Sequence, residues 1–236
     1  MIRTDAIHEV THPDHRQLGP VRRLYESTID RSTRIPWEWM AGGLGRPRTG
    51  RDRWWPHLLV APPDGPPVGF AYGSFLPGYG GYACYLGVAP ASRGRGLGRA
   101  LLGELFAAFR QDAADLVEPF PFAIWESERP THFDSVAAHA NWQSRLRLFA
   151  AVGGYWIQGI DFRVPNYMDR DGPPVRLELF LKPFDVSADD FDAARLRSVV
   201  AGLHRRVYSE RPGDPLYGLA QDPARAPRLR PAADAG

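Results

Sequence analysis

The sequence predicts an α/β (α+β) protein, and three observations carry that prediction. Short apolar runs bounded by Gly and Pro alternate with segments whose apolar residues recur at spacings of three and four. A strand-like run, Tyr82 to Val88, passes through a Gly/Arg loop directly into a helix-like segment. Late in the chain, Val175, Leu177, Leu179 and Leu181 alternate strictly, the period of a half-buried strand.

Taken in order, residues 7–10 read as a first strand. Residues 18–29 read as a helix with Leu18, Val21, Leu24 and Tyr25 on one side, and residues 37–44 as a second helix. Residues 42–50 form a Gly/Arg/Pro loop. Residues 58–61 and 68–75 read as strands joined by Pro62-Pro63-Asp64-Gly65-Pro66-Pro67, where Asp-Gly favours a reversing turn. The 82–88 strand stops at Pro90. The helix after the glycine loop places Leu97, Leu101 and Leu105, and Leu102, Phe106 and Phe109, on its apolar side. Residues 121–125 read as a short strand, 144–152 as a helix ending at Gly153-Gly154, and 155–164 and 175–181 as strands. Residues 187–210 read as one amphipathic helix with the stripe Leu196, Val199, Val200, Leu203 and Val207. Residues 212–236, rich in Pro, Ala, Asp and Arg, read as loosely ordered. The expected division is a main domain over 1–186 and a C-terminal helix and tail over 187–236.

Composition narrows the function. Among 236 residues, 29 basic and 27 acidic side chains leave a formal charge of +2, which demands no polyanionic partner. Arginines cluster over residues 46–53 without a regular stripe, so no nucleic-acid partner is expected. The single Cys84 excludes an intrachain disulfide framework and a cysteine zinc cluster, and no metal is expected. Met1 is not followed by a basic-then-apolar segment, and no apolar run approaches spanning length. The expectation is a cytoplasmic protein with no membrane partner; a homodimer is compatible with the sequence.

The chemistry concentrates in Arg93-Gly94-Arg95-Gly96-Leu97-Gly98-Arg99. A glycine loop that enters a helix leaves backbone N–H groups pointing outward, and the helix dipole adds positive potential there, so the place suits a phosphate or pyrophosphate. A Walker loop requires Gly-Lys-Ser/Thr, but the one lysine of the chain is Lys182. A dinucleotide fingerprint requires a third glycine where Arg99 stands. What remains, Val88-x-Pro90-x-x-Arg93-Gly94-x-Gly96-x-Gly98, resembles the pyrophosphate loop of the GNAT family of N-acetyltransferases, whose core is Arg/Gln-x-x-Gly-x-Gly/Ala. The order of elements is similar to that family across residues 5–186.

The resemblance implies a central mixed, mostly antiparallel sheet splayed between strands 4 and 5, flanked by helices, with the C-terminal helix as an addition. It implies acetyl transfer from acetyl-CoA to a primary amine, expected on a small molecule; a protein amino group, a longer acyl donor, or a coenzyme A-binding module without turnover are the alternatives. Arg93, Gly94, Arg95, Gly96, Leu97, Gly98 and Arg99 would hold the pyrophosphate. Leu86, Gly87 and Val88 would line the splay, with Gly87 suited to a bulge, and would bond the pantetheine arm as an added strand. Glu126, directly after the fifth strand, is the first candidate base and Glu128 the second. His132 and His139 lie close by in sequence. Asn141 falls where relatives place a helix-start asparagine at the coenzyme, and it is equally a helix cap. Trp37, Trp39, Trp54 and Trp55 lie in segments that cover the acceptor in relatives. The family pattern Arg-x-x-Phe-Tyr-x-x-x-Gly-Phe is met by Phe149 and Gly154-Tyr155, but its tyrosine, often the acid that protonates the leaving thiolate, is replaced by Ala150. Ala150 motivates the module reading, or an acid supplied from elsewhere.

Overall fold

The computed structural model describes residues 7–45, 54–169 and 171–236, so the arginine cluster at 46–53 lies outside the described residues. The chain divides into two compact units, one of residues 1–120 with 166–172, the other of residues 121–165 with 173–236. The α/β class expected from the sequence is the observed one, with mostly antiparallel strands and flanking helices.

The first unit contains β1 (His8–Glu9), α1 (Leu18–Thr28), α2 (Trp37–Ala41), β2 (Trp55–Ala61), β3 (Gly69–Leu76), β4 (Gly80–Val88) and α3 (Leu97–Asp115). Its strands pair antiparallel in the order β1-β2-β3-β4. Helix α3 lies on one face, and glycines let it sit close: a Cβ at Gly69 would meet Leu97 Cδ2 at 2.8 Å, and one at Gly81 would overlap the Phe109 ring. The other face is covered by α1 and α2, whose Val21, Leu24, Tyr25 and Met40 pack with Leu58, Val60, Phe70, Tyr72 and Tyr85.

Two buried polar clusters tie these layers. The Tyr25 hydroxyl donates to the Ile35 carbonyl at 2.9 Å and the Tyr85 hydroxyl to the Thr33 carbonyl at 2.8 Å, which fixes the turn between α1 and α2. Burial pushes the Tyr25 phenol up to about 12. His57 of β2 lies between Glu9 of β1 (2.8 Å) and Asp112 of α3 (2.6 Å). Burial alone would lower the imidazole pKa, but its hydrogen bonds to Asp112 and Glu9 outweigh that and raise it.

The second unit contains β5 (Phe122–Ser127), α4 (Val136–Ala151), β6 (Tyr155–Gln158), β7 (Phe162–Val164), β8 (Val175–Pro183), α5 (Ala193–Leu203), a π-helical turn (His204–Tyr208), α6 (Pro215–Ala220) and β9 (Arg228–Pro231). The antiparallel order is β5-β8-β6-β9, with β7 pairing the start of β8. Trp125 of β5 stacks on its cross-strand neighbour Phe180 at 6.1 Å, and Phe149 of α4 packs against both. Because strand side chains alternate, Phe122 and Glu126 face away from Trp125, toward the C-terminal segments: Phe122 meets Phe191 and Glu126 meets Tyr208. Helix α4 closes with the N–H of Gly153 on Ala150 O (2.9 Å) and of Gly154 on Phe149 O (2.8 Å), with Gly153 at φ 79°.

Several boundaries differ from the sequence expectation. Helix α4 begins at Val136, capped by the Ser135 side chain on the Ala138 N–H, not at residue 144. The expected helix over 37–44 ends at Ala41. The strand expected over 155–164 is two strands, broken at Gly159 with φ 87°. The expected single helix over 187–210 is a capped 3₁₀ turn, α5 and the π-helical turn. Residues 212–236 are not loosely ordered: α6 and β9 form, β9 pairs β6, and Ala232 and Ala235 are fully buried. Arg197 holds this segment by donating to the carbonyls of Gln221 and Asp222.

Candidate active site

Strand β4 reaches the glycine loop through a 3₁₀ turn, Pro90–Ser92, whose first proline presets φ. Leu86 and Val88 are half-buried and Gly87 is buried. The bulge expected at Gly87 is not there. Gly87 pairs in register with Phe70, and the irregularity falls at Cys84, since Tyr72 faces Tyr85 while Gly73 faces Ala83. Gly87 is glycine for a packing reason, because a Cβ there would overlap the Phe70 ring and the Thr28 hydroxyl.

In the loop itself the glycines serve the backbone. Gly94 has φ 73° and Gly96 φ 83°, a left-handed conformation that a side chain disfavours. Among the described residues, a Cβ built at either meets no atom within 4 Å. Gly96 caps α3 without a side-chain bond, and its carbonyl accepts from Ala100 N–H at 3.0 Å. The first N–H groups of α3, on Leu97, Gly98 and Arg99, therefore have no acceptor inside the helix. Arg93 is exposed and folds its Nε back onto the Val88 carbonyl at 3.1 Å, while Arg95 and Arg99 point to solvent. Helix-start N–H groups beside two exposed left-handed glycines, with Arg93, Arg95 and Arg99 exposed nearby, suit a phosphate group. The residues present fit the coenzyme's diphosphate.

In the second unit, Glu126 is half-buried on β5, and its carboxylate accepts the Tyr208 hydroxyl at 2.6 Å. The sequence reading does not single out Tyr208; the π-helical turn that presents it has no sequence signature. Glu128 follows the strand, and its carbonyl accepts from Arg145 at 2.8 Å. His132 is exposed and lies against Phe133, with ring centres 3.7 Å apart. His139 is exposed within α4 and contacts the Thr131 carbonyl at 3.1 Å. Asn141 stands inside α4, exposed, so its role as helix cap passes to Ser135. Ala150 is exposed near the end of α4, whereas Phe149 is buried in the Trp125–Phe180 cluster.

The tryptophans divide. Trp55 is buried in β2, Trp37 packs against Tyr25 at 5.9 Å, and Trp54 meets Tyr82 at 6.3 Å. Trp39 is 53% exposed, edge-on to Tyr167 at 5.3 Å. Among the described residues, no group of three or more His, Cys, Asp or Glu could hold a metal ion, and no helix is long and apolar enough to cross a membrane.

Residues 29–119, which include β4, the glycine loop and α3, match the sequence model of the acetyltransferase (GNAT) family. Among curated proteins, none matches the chain. Solved structures similar to this chain include a Bacteroides thetaiotaomicron protein assigned to the GNAT acetyltransferases, at TM-score 0.57 and 17% identity over 89% of this chain and 100% of that one. Others are the Escherichia coli ribosomal-protein-S18-alanine N-acetyltransferase (TM-score 0.47, 17% identity, 78% and 97% covered) and a Bacillus anthracis protein assigned as a streptothricin acetyltransferase and solved with acetyl coenzyme A (TM-score 0.38, 17% identity, 55% and 62% covered). At 17% identity and a TM-score of 0.57, the likeness to the first of these is one of fold.

Proposed function

Taking residues 29–119 as a segment of the acetyltransferase (GNAT) family, in a chain with that family's fold, we propose that the protein moves an acetyl group from acetyl-CoA to a primary amine of a small molecule. The observation that carries the reading is the 93–99 loop. It lies inside the matched segment, holds two left-handed glycines that no described residue crowds, and starts α3. Its N–H groups would bind the diphosphate, and Leu86 and Val88 the pantetheine arm.

The reaction asks for a neutral amine, a polarised thioester carbonyl and close contact of the two. Glu126 would take the amine proton, with Glu128 as the second candidate. The exposed Trp39, edge-on to Tyr167, offers an aromatic face to the acceptor. Ala150 favours one second reading, a module that binds coenzyme A without turnover, because no hydroxyl stands at that position of α4.

Two measurements test the proposal. Acetyl-CoA consumption is followed across a mixed panel of primary amines, and coenzyme A is titrated calorimetrically into wild-type protein and Gly96→Asp. The variant places a β-carbon and a negative charge at φ 83°, in front of the helix start, and should abolish binding. Equal affinities would remove the diphosphate assignment. Tight binding with no acceptor consumed would establish the module instead.

A further inference from the structure

The second unit carries a charge arrangement that its folding does not call for. Arg163 of β7 stands directly opposite Arg176 of β8 in their antiparallel pair, and like charges at facing positions weaken a sheet. Both reach Asp161, the residue before β7, which is only 7% exposed. Arg163 grips its carboxylate with two prongs, Nε on Oδ1 at 3.1 Å and Nη2 on Oδ2 at 3.3 Å. Arg176 Nε lies 3.8 Å from Oδ1, and Nη2 of Arg225, from the segment between α6 and β9, lies 3.8 Å from Oδ2. Those two ion pairs are too long to be hydrogen bonds, so they spend none of their donors on Asp161. Three guanidinium groups from three stretches of chain thus converge on one carboxylate and hold its pKa below the ordinary value, Arg163 most of all.

The neighbours leave the surplus standing. Arg225 Nε also lies 3.5 Å from Asp222, and Arg197 of α5 donates to the carbonyls of Gln221, Asp222 and Arg225. Glu178, two positions along β8 from Arg176, accepts the Trp156 indole N–H at 2.9 Å instead. In this network four arginines share the two carboxylates of Asp161 and Asp222, which leaves two positive charges over. The Arg176 side chain is 62% exposed, and those of Arg163 and Arg225 are partly exposed, so their remaining donors stay within reach of a ligand.

We propose that Arg163, Arg176 and Arg225 form a second phosphate site, built wholly within the second unit. The inference goes beyond the acetyl-transfer reading and does not rest on it. Guanidinium forks match the oxygens of carboxylate and phosphate alike, and charge decides between them. A carboxylate brings one negative charge, whereas a phosphate group brings about 1.5 to 2 near neutral pH, which is the size of the surplus. Convergence on one point suits one compact dianion; an extended acidic chain would ask for cations spread along a groove. Asp161 is the positioning residue: it fixes the Arg163 fork and holds the facing arginines together, while the ligand takes the outer donors of the three.

Inorganic phosphate is titrated calorimetrically at about pH 7.5, where it is mostly dianionic, with chloride holding ionic strength constant. The full chain carries Gly96→Asp, so that the glycine loop takes none of the ion, and is compared with Gly96→Asp plus Arg176→Gln. The first should bind phosphate saturably, and the second about tenfold more weakly or worse while melting at the same temperature. Arg225→Gln should give the same loss, and it carries the test if the Arg176 variant does not fold. O-phosphoserine in place of inorganic phosphate sorts the source: tighter binding identifies a phosphate monoester, weaker binding the free ion. Absence of saturable binding, or equal affinity with and without Arg176, overturns the proposal. So does a fall in coenzyme A affinity caused by Arg176→Gln in the otherwise wild-type chain, which would give these arginines to the coenzyme. Failure of the wild-type protein to acetylate any amine would overturn the acetyl-transfer reading and leave this site intact.

Discussion

Replacing His204 with Phe should make the protein more resistant to acid. His204 is fully buried, and among the described residues neither ring nitrogen has a hydrogen-bond partner. Burial holds its pKa at about 4, against an ordinary 6.5. The native state therefore keeps the ring neutral, while the unfolded chain takes up a proton below about pH 6.5. Because the folded pKa is the depressed one, stability is whole above 6.5 and drains away as pH falls toward 4. The full loss is about 3 kcal/mol, a sizeable part of a typical folding free energy. Phenylalanine matches the flat ring, and its neighbours Phe162, Tyr208 and Tyr217 are aromatic. Urea unfolding of both proteins, followed by tryptophan fluorescence near neutral pH and at about pH 4.5, isolates the effect from other titrating groups. Near neutrality the variant should match or exceed wild type, since two unbonded polar atoms leave the interior. At about pH 4.5 the gap should widen in its favour by about 2–3 kcal/mol. A gap that does not change with pH would refute the reasoning.

Other perturbations have equally definite outcomes. Gly87→Ala drives a methyl into the Phe70 ring and the Thr28 hydroxyl, and should cost about 1–3 kcal/mol in a thermal melt; an unchanged melting temperature would mean that β4 and α1 are less tightly packed. Asp112→Asn keeps an acceptor for His57 but removes the buried countercharge, and should cost about 3 kcal/mol in chemical denaturation. His57 has a raised pKa, so its ion pairs stabilise the wild type fully below 6.5 and fade as pH climbs through the folded value; that fading should shrink in the variant. Ala150→Tyr adds a ring on the exposed side of α4 and should change stability by about 0.5 kcal/mol or less, with turnover held or raised; a joint fall in melting temperature and turnover would show that the surroundings of Ala150 have been rebuilt.

What the sequence made legible was whatever a single period governs. Helices α1 and α3 announce themselves because their apolar residues repeat at one spacing, and strands β3 and β4 because each is a short apolar run bounded by Gly and Pro. The loop at 93–99 was legible because backbone conformation there forces glycine at two positions. The start of α4 was not, since between Val136 and Asn141 no side chain is buried and only the Ser135 cap marks the boundary. The C-terminal segment was missed because its buried anchors are Ala232 and Ala235, residues too small to register as a hydrophobic stripe. The Glu126–Tyr208 bond joins positions 82 apart, and neither residue's neighbours in sequence hint at the other. Gly87 was recognised as special for the wrong cause: the constraint is the Phe70 ring across the pair, not a break in register.

The last strand of the sheet also bears on how the protein behaves at high concentration. Strand β9 pairs with β6 from Tyr155 to Gln158 and lies last in the strand order β5-β8-β6-β9. Were residues 228–236 cut away, β6 would present its own row of unpaired amides and carbonyls, a template onto which a strand of another molecule could add. As built, the outermost strand reads Arg-Leu-Arg-Pro: it is short, it carries two cations, and it ends in a residue that cannot donate. Self-association by edge-to-edge growth is thereby discouraged, and a chain shortened at this end should first betray itself in light scattering as its concentration is raised.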